Sequence, residues 1–379
     1  MRPGPDPAPA TALVPAPVPR YGAGMTLPPF PHIVLTAVLL AAGAAMGALF
    51  QWIGTPLPYM LGSLFASALA VAVAQRHFPE GYAYPMKFRM LFVGVIGAMI
   101  GARLTPDVVG LLPRMLVSVP AVLVFVLAAH AVNYLVLRRV GGYDRPTAFY
   151  AGSPGGLFES ILFGEEAGAD LRLLTLMQFL RIITVVTLVP VAMSIWEGHP
   201  VGSAAGLNLA GGETALGWVP AVLALSVAGV WVGFKLKLPA GQLIGPLVLV
   251  GALSLTGLVQ IAAPGWLIAV AQVVLGTGLG VRFTGMTLGM FLRGAGLSLL
   301  SVSAMMSVGI LLALLVQRAG GLPVDVLVIS FAPGGVVEMS LIALSLAANP
   351  AFVTLHHLIR ILFTVAEMSV ARRLIRAIF

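Results

Sequence analysis

Cysteine is absent from the 379 residues, so the chain has neither disulfides nor thiolate metal sites. Charge is scarce. Only 9% of residues are Asp, Glu, Lys or Arg, where a soluble domain carries about 25%. Histidine occurs six times and shows no metal-ligand spacing; the adjacent His356 and His357 point to different faces of a helix. Long polar runs are missing apart from the N-terminal tail and a loop near 197–213, so no sizeable soluble domain fits between the apolar segments. The tail lacks a helix-turn-helix pattern or a basic cluster, which removes nucleic acid from the expected partners. A basic region followed by an apolar core and a cleavage site is also missing, so the first apolar run is expected to stay as an anchor.

What the chain has is hydrophobicity: 59% of residues, with a mean hydropathy of +1.03. These values describe an all-α polytopic membrane protein, whose first partner is the lipid bilayer. The formal charge of +8 follows from basic loops on the cytoplasmic side of such a protein. Residues 1–31 are rich in Pro and Ala and read as a disordered, extended tail. Beyond them run twelve apolar segments of bilayer-crossing length, about 20 residues each. They fall into two sets of six, over 32–200 and 214–379.

The two sets are copies. At a constant offset of 179, Gly97, Gly101 and Arg103 match Gly276, Gly280 and Arg282. Pro154, Gly155, Gly156 and Glu159 match Pro333, Gly334, Gly335 and Glu338, and Arg181 matches Arg360. Identities at Gly, Pro, Glu and Arg in a Leu/Val/Ala background indicate an internal duplication. Close helix packing accounts for the glycine pairs.

Pro-Gly-Gly stops a continuous helix, because it removes a backbone donor and lowers helix propensity. In hydrocarbon such a break survives only against protein or a water-filled cavity. Segments 146–164 and 323–346 carry the breaks. Letting both dip in and return leaves five crossings per repeat and inverts the second repeat. With the N- and C-termini cytoplasmic, that arrangement puts 16 basic residues inside and 3 outside; twelve full crossings give 12 and 7. The positive-inside rule therefore favours two inverted repeats, each of five transmembrane helices plus one re-entrant segment.

The breaks also gather the candidate binding groups. Ser153 is expected to cap a helix whose first turn is Pro154-Gly155-Gly156, leaving free N–H groups for an anion. Gly155, Gly156, Gly334 and Gly335 allow a ligand close to the backbone. Glu159 and Glu338 are charges at membrane depth, each costing roughly 2.5–3.5 kcal/mol on insertion scales. They suit a capping bond to their own helix start, a proton, or Na⁺. Arg181 and Arg360 follow on the next helices, with Gln178 and His357 three positions earlier on the same face. Pairing of each Arg with the Glu of its repeat is the first expectation for them; a two-bond grip on a substrate carboxylate is the second.

The doubled "PGG…E", the "Q/H..R" that follows it and the "GxxxGxR" element resemble the AbrB-like bacterial integral membrane family over about residues 33–375. Sequences of this kind also carry the labels ammonia monooxygenase or regulator of gene expression. The layout is similar to secondary transporters of the cation/proton antiporter and anion transporter group, with five-helix inverted repeats and Gly-rich re-entrant loops. The resemblance implies a bacterial inner-membrane protein. The expected function is secondary transport of a small organic solute, a carboxylate for preference, by alternating access, with H⁺ or Na⁺ as coupling ion and no resident cofactor. An indirect effect on gene expression is the alternative. The oxygenase label finds no histidine cluster to hold copper, so the chain is not expected to be an enzyme. Oligomeric state, a homodimer included, stays open.

Overall fold

A computed structural model describes residues 29–104, 112–200, 217–256, 264–286, 288–345 and 349–378. Residues 1–28 of the Pro/Ala-rich tail expected over 1–31, and most of the polar loop at 197–213, lie outside the described residues; Phe30 and Pro31 already belong to the first helix. Fourteen α-helices occur among those described. The first seven are α1 (Phe30–Ile53), α2 (Pro58–Ala74), α3 (Met86–Gly101), α4 (Leu112–Leu135), α5 (Arg145–Gly152), α6 (Leu157–Glu166) and α7 (Leu171–Glu197). The second seven repeat that order: α8 (Trp218–Lys235), α9 (Gly241–Leu255), α10 (Gly265–Gly280), α11 (Leu288–Gly320), α12 (Val324–Phe331), α13 (Val336–Ser345) and α14 (Pro350–Ile378). Eight helices are long and apolar enough to cross a bilayer, and α9 is a shorter apolar helix. This is an all-α, multi-pass architecture.

The seven-helix units share unusual backbone as well as order. The helix starts at Pro58 and Gly241 are both preceded by a non-glycine residue in the left-handed region, Leu57 at φ 42° and Ala240 at φ 47°. Such a conformation costs an L-residue about 1–2 kcal/mol. Its presence at matched places shows one turn geometry used twice.

Direction separates the units. The counterparts α4 and α11 pack against each other: Asn133 meets Ser301, Phe125 meets Gly309 and Val117 meets Gly320. As numbers fall along α4 they rise along α11, so the two counterparts are antiparallel. One unit is therefore inverted relative to the other, as the basic-residue distribution predicts.

Glycines set the closest packing. A Cβ on Gly97 would overlap the Leu243 carbonyl oxygen of α9, and one on Gly276 would overlap the Met60 carbonyl oxygen of α2. Only Gly lets these helix pairs, α3–α9 and α2–α10, approach so nearly. Together with α1 and α8 they form one bundle. The other bundle holds α4–α7 and α11–α14. The two are joined where α3 meets α13 and α14, and where Arg282 lies 4.6 Å over the Phe179 ring of α7.

Candidate functional site

Both Pro-Gly-Gly segments break their helices, and both turn back. The backbone N–H of Asp170, at the start of α7, donates to Thr147 Oγ1 in the first turn of α5 (2.8 Å). These residues are 23 positions apart; carried straight on as helix they would stand about 35 Å apart at 1.5 Å per residue. The intervening α5–α6 segment is thus a hairpin, with its entry and exit on one side. In the second unit His357 bonds the Ile329 carbonyl and Arg360 bonds the Ala332 carbonyl, so α14 runs alongside α12 in one direction. Ser340 of α13 meets Thr354 of α14 near the connection between them, so α13 returns.

Each hairpin tip is seated on the other unit. The Gly155 backbone lies against Thr364 and Ile361 of α14, and Gly334 against Val185 of α7. Val185 and Thr364 are counterparts, so the twofold relation extends into the site.

Ser153 departs from its expected role. It follows the last residue of α5 with extended backbone (φ −60°, ψ 135°), and α6 begins at Leu157, behind the left-handed Gly156. Its hydroxyl donates to the Gly155 carbonyl (3.0 Å), meets Ser160 Oγ (2.6 Å) and accepts from Gln178 Nε2 (2.9 Å). It caps no helix N-terminus. Two glycines in succession leave the turn free to place Gly156 at φ 63°, and the helix can start only after them.

The arginines also correct an expectation. Arg181 Nη1 donates to the Ser153 carbonyl; Arg360 donates to the carbonyls of Ala332 and Gly334. Neither forms an ion pair among the described residues, whose ion pairs are His130–Glu367 and Glu166–Arg372. The expected Glu–Arg pairing within each repeat is therefore absent. Each guanidinium instead sits on the carbonyl end of a half-helix, where the helix dipole is negative. Glu159 and Glu338 sit in the first turn of α6 and α13, at the positive ends, with their carboxylates folded back toward Gly156 and Gly335. Glu338 is buried at 4% exposure, whereas Glu159 is half-buried.

The inner ends of these side chains are left unfilled. Arg181 and Arg360 are 4% and 1% exposed, and Gln178 and His357 are fully buried. Gln178 Nε2 donates to the Tyr150 carbonyl (3.0 Å), and His357 Nε2 meets the Ile329 carbonyl (2.9 Å). Yet Gln178 Oε1, Arg181 Nε, His357 Nδ1 and Arg360 Nε have no partner among the described residues. These are two counterpart pairs. A buried polar atom without a partner costs about 1–3 kcal/mol. The two Nε–H groups are donors that an anion can satisfy, whereas Gln178 Oε1 and His357 Nδ1 are acceptors that need a donor. Each arginine helix also meets the opposite hairpin tip: Ile361, next to Arg360, faces Gly155, and Val185, one turn beyond Arg181, faces Gly334.

Sequence reasoning missed one group of polar residues. His130 of α4 bonds Glu367 of α14, and Asn133 donates to the Gly152 carbonyl at the end of α5 (2.8 Å). Matching the repeats hides them, because the counterparts of His130 and Glu367 are Gly309 and Leu188. A cavity of about 500 Å³ opens elsewhere, lined by Tyr143, Leu173, Leu176, Arg293, Leu297 and Leu300; no lining residue belongs to either break. Among the described residues no three His, Asp or Glu side chains stand together as metal ligands.

Comparison with known proteins places the chain among relatives. The chain is 27% identical over 361 residues to "Uncharacterized protein YhjN" of Bacillus subtilis (strain 168), covering 89% of this chain and 92% of that protein. It is 27% identical over 267 residues to "Putative regulator AbrB" of Escherichia coli (strain K12), covering 68% and 74%. The family described as Transition state regulatory protein AbrB matches residues 64–376. That match spans most of the chain, including both breaks, and the protein belongs to the AbrB family.

Proposed function

We propose that this protein is a secondary transporter of a small organic anion, with carboxylates as the favoured class. The observation that carries the reading is the pair of buried arginines, one from each inverted unit, with no carboxylate partner and an unfilled Nε each. A half-helix dipole end is worth roughly half a charge, so the carbonyls offset only part of each guanidinium. A buried cation without full compensation is expensive, and an anionic solute supplies what is missing. Planar guanidinium groups favour a carboxylate through paired bonds. The hairpins are to carry the site while the two bundles rock about it, exposing it to each side in turn. Placement in the bacterial inner membrane, with both termini cytoplasmic, goes with the distribution of basic residues.

The test is uptake of labelled acetate, lactate, succinate and citrate into proteoliposomes under a pH or Na⁺ gradient. At least one is expected to accumulate with the wild-type chain, and Arg181→Gln or Arg360→Gln is expected to lower uptake at least tenfold. Absence of uptake of all four under either gradient contradicts the reading. Full uptake by a Glu159→Gln, Glu338→Gln double variant removes both acids from the mechanism while leaving the arginine site intact.

The descriptions of the family and of the Escherichia coli relative favour a second reading, regulation. In this chain it takes the form of an indirect effect of solute level on gene expression. Specific binding of the purified protein to a promoter fragment would displace both readings.

A further inference from the structure

We infer that His130 and Glu367 hold the coupling proton; this rests on the transport reading and assigns its ion. His130 is 2% exposed, and its ring is held at both nitrogens. Nε2 lies 2.8 Å from the Phe149 carbonyl oxygen, which can only accept, so Nε2 carries a hydrogen. Nδ1 lies 2.7 Å from Glu367 Oε1. With Nε2 protonated, a neutral ring and an ionised carboxylate would face each other there as two lone pairs. A contact of this length needs a proton between them. The dyad is therefore neutral while it holds that proton, whichever atom carries it, and has one negative charge after losing it. Glu367 Oε2 is buried and without a partner among the described residues, so the carboxyl group is not tied down by other donors.

The dyad is placed to move the hairpin. Phe149, whose carbonyl accepts from His130 and whose ring lies tilted against the imidazole at 4.4 Å, belongs to the last turn of α5, four residues before Ser153. Glu367 is seven residues, or two turns, beyond Arg360 on α14. Proton loss turns the α4–α14 bond into a repulsion beside α5, whose end Arg181 holds, and on α14, which carries Arg360. The repeats also speak for a dedicated role: Glu159/Glu338 and Arg181/Arg360 recur in both units, whereas Gly309 and Leu188 leave the second unit with no counterpart of the His130–Glu367 pair. Among the described residues, several ionisable groups near the dyad have contacts of their own. Tyr134 of α4 and Tyr150 of α5 pack on Phe149 by their rings. Glu166 of α6 is paired with Arg372 of α14 at 2.7 Å, and α11 presents the Ser301 hydroxyl to Asn133.

The test uses the full chain in nanodiscs. Infrared difference spectra recorded from pH 5 to 9 are to show one step that carries carboxyl and imidazole signals together, absent in both Glu367→Gln and His130→Gln. Calorimetric binding of acetate, lactate, succinate and citrate, repeated in buffers of different ionisation heat, is to show exchange of about one proton per anion in the wild type and none in Glu367→Gln. A carboxyl signal that does not titrate, or that survives Glu367→Gln, overturns the proposal. Anion binding without proton exchange overturns the coupling role and keeps the anion site. Absence of binding by all four anions overturns the transport reading, and the coupling role with it.

Discussion

Arg181 and Arg360 occupy equivalent places with unequal partners. Arg181 holds one carbonyl, Ser153; Arg360 holds two, Ala332 and Gly334. Removing the guanidinium strands these buried acceptors at about 1–3 kcal/mol each. Arg360→Met is therefore expected to lower the thermal unfolding midpoint in detergent more than Arg181→Met. Equal midpoints would show that the carbonyl contacts contribute little. At this scale the sequence was legible wherever a residue was duplicated. The Gly, Pro and Arg identities marked the break and its neighbours. What they could not show was the arginine's acceptor, because a backbone carbonyl at the end of a half-helix leaves no mark in the sequence. For the same reason Ser153 read as a helix cap: the segment boundaries were visible, but the extended turn at residues 153–156 was not. His130 and Glu367 escaped notice because their counterparts are Gly and Leu.

The re-entrant hairpins are the elements on which the topology turns. The Asp170–Thr147 bond closes the first over 23 positions, which puts its two ends on one side of the bundle. The absence of cysteine makes this directly testable. Single cysteines at the exposed Arg145 and Arg172 are expected to react with an impermeant maleimide from the same side, and one at Arg318 from the other. Reaction of the first two from opposite sides would mean that 145–166 crosses the bilayer. The paired glycine helices give a second element-level expectation. Gly97→Val and Gly276→Val place a branched side chain into a neighbouring carbonyl oxygen and are expected to abolish monodisperse protein on size exclusion. Gly296→Ala faces open space and is expected to keep the yield of the parent chain, since Ala is the better helix former by up to about 1 kcal/mol. The glycine spacing was enough to predict close packing; which helix each glycine meets depends on the inversion and is visible only in three dimensions.

For the whole molecule, inversion and a split into two bundles are the features that allow alternating access. The matched glycine contacts at Gly97 and Gly276 lie within one bundle and the hairpins within the other, so relative motion works on the seam where α3 meets α13 and α14 and where Val71, Arg282 and Phe283 meet α7 and α11. A cysteine crosslink between α3 and α13 is expected to stop uptake while leaving anion binding in place. Undiminished uptake by the crosslinked protein would contradict rocking of the bundles.

The central claim is that one anion is shared by arginines from two inverted units. Its most direct test is a cryo-EM map of the full chain in nanodiscs with the tightest-binding of the four carboxylates. The account predicts density reaching Nε of both Arg181 and Arg360 between the hairpin tips; density confined to the Arg293-lined cavity, or none near either guanidinium, would contradict it.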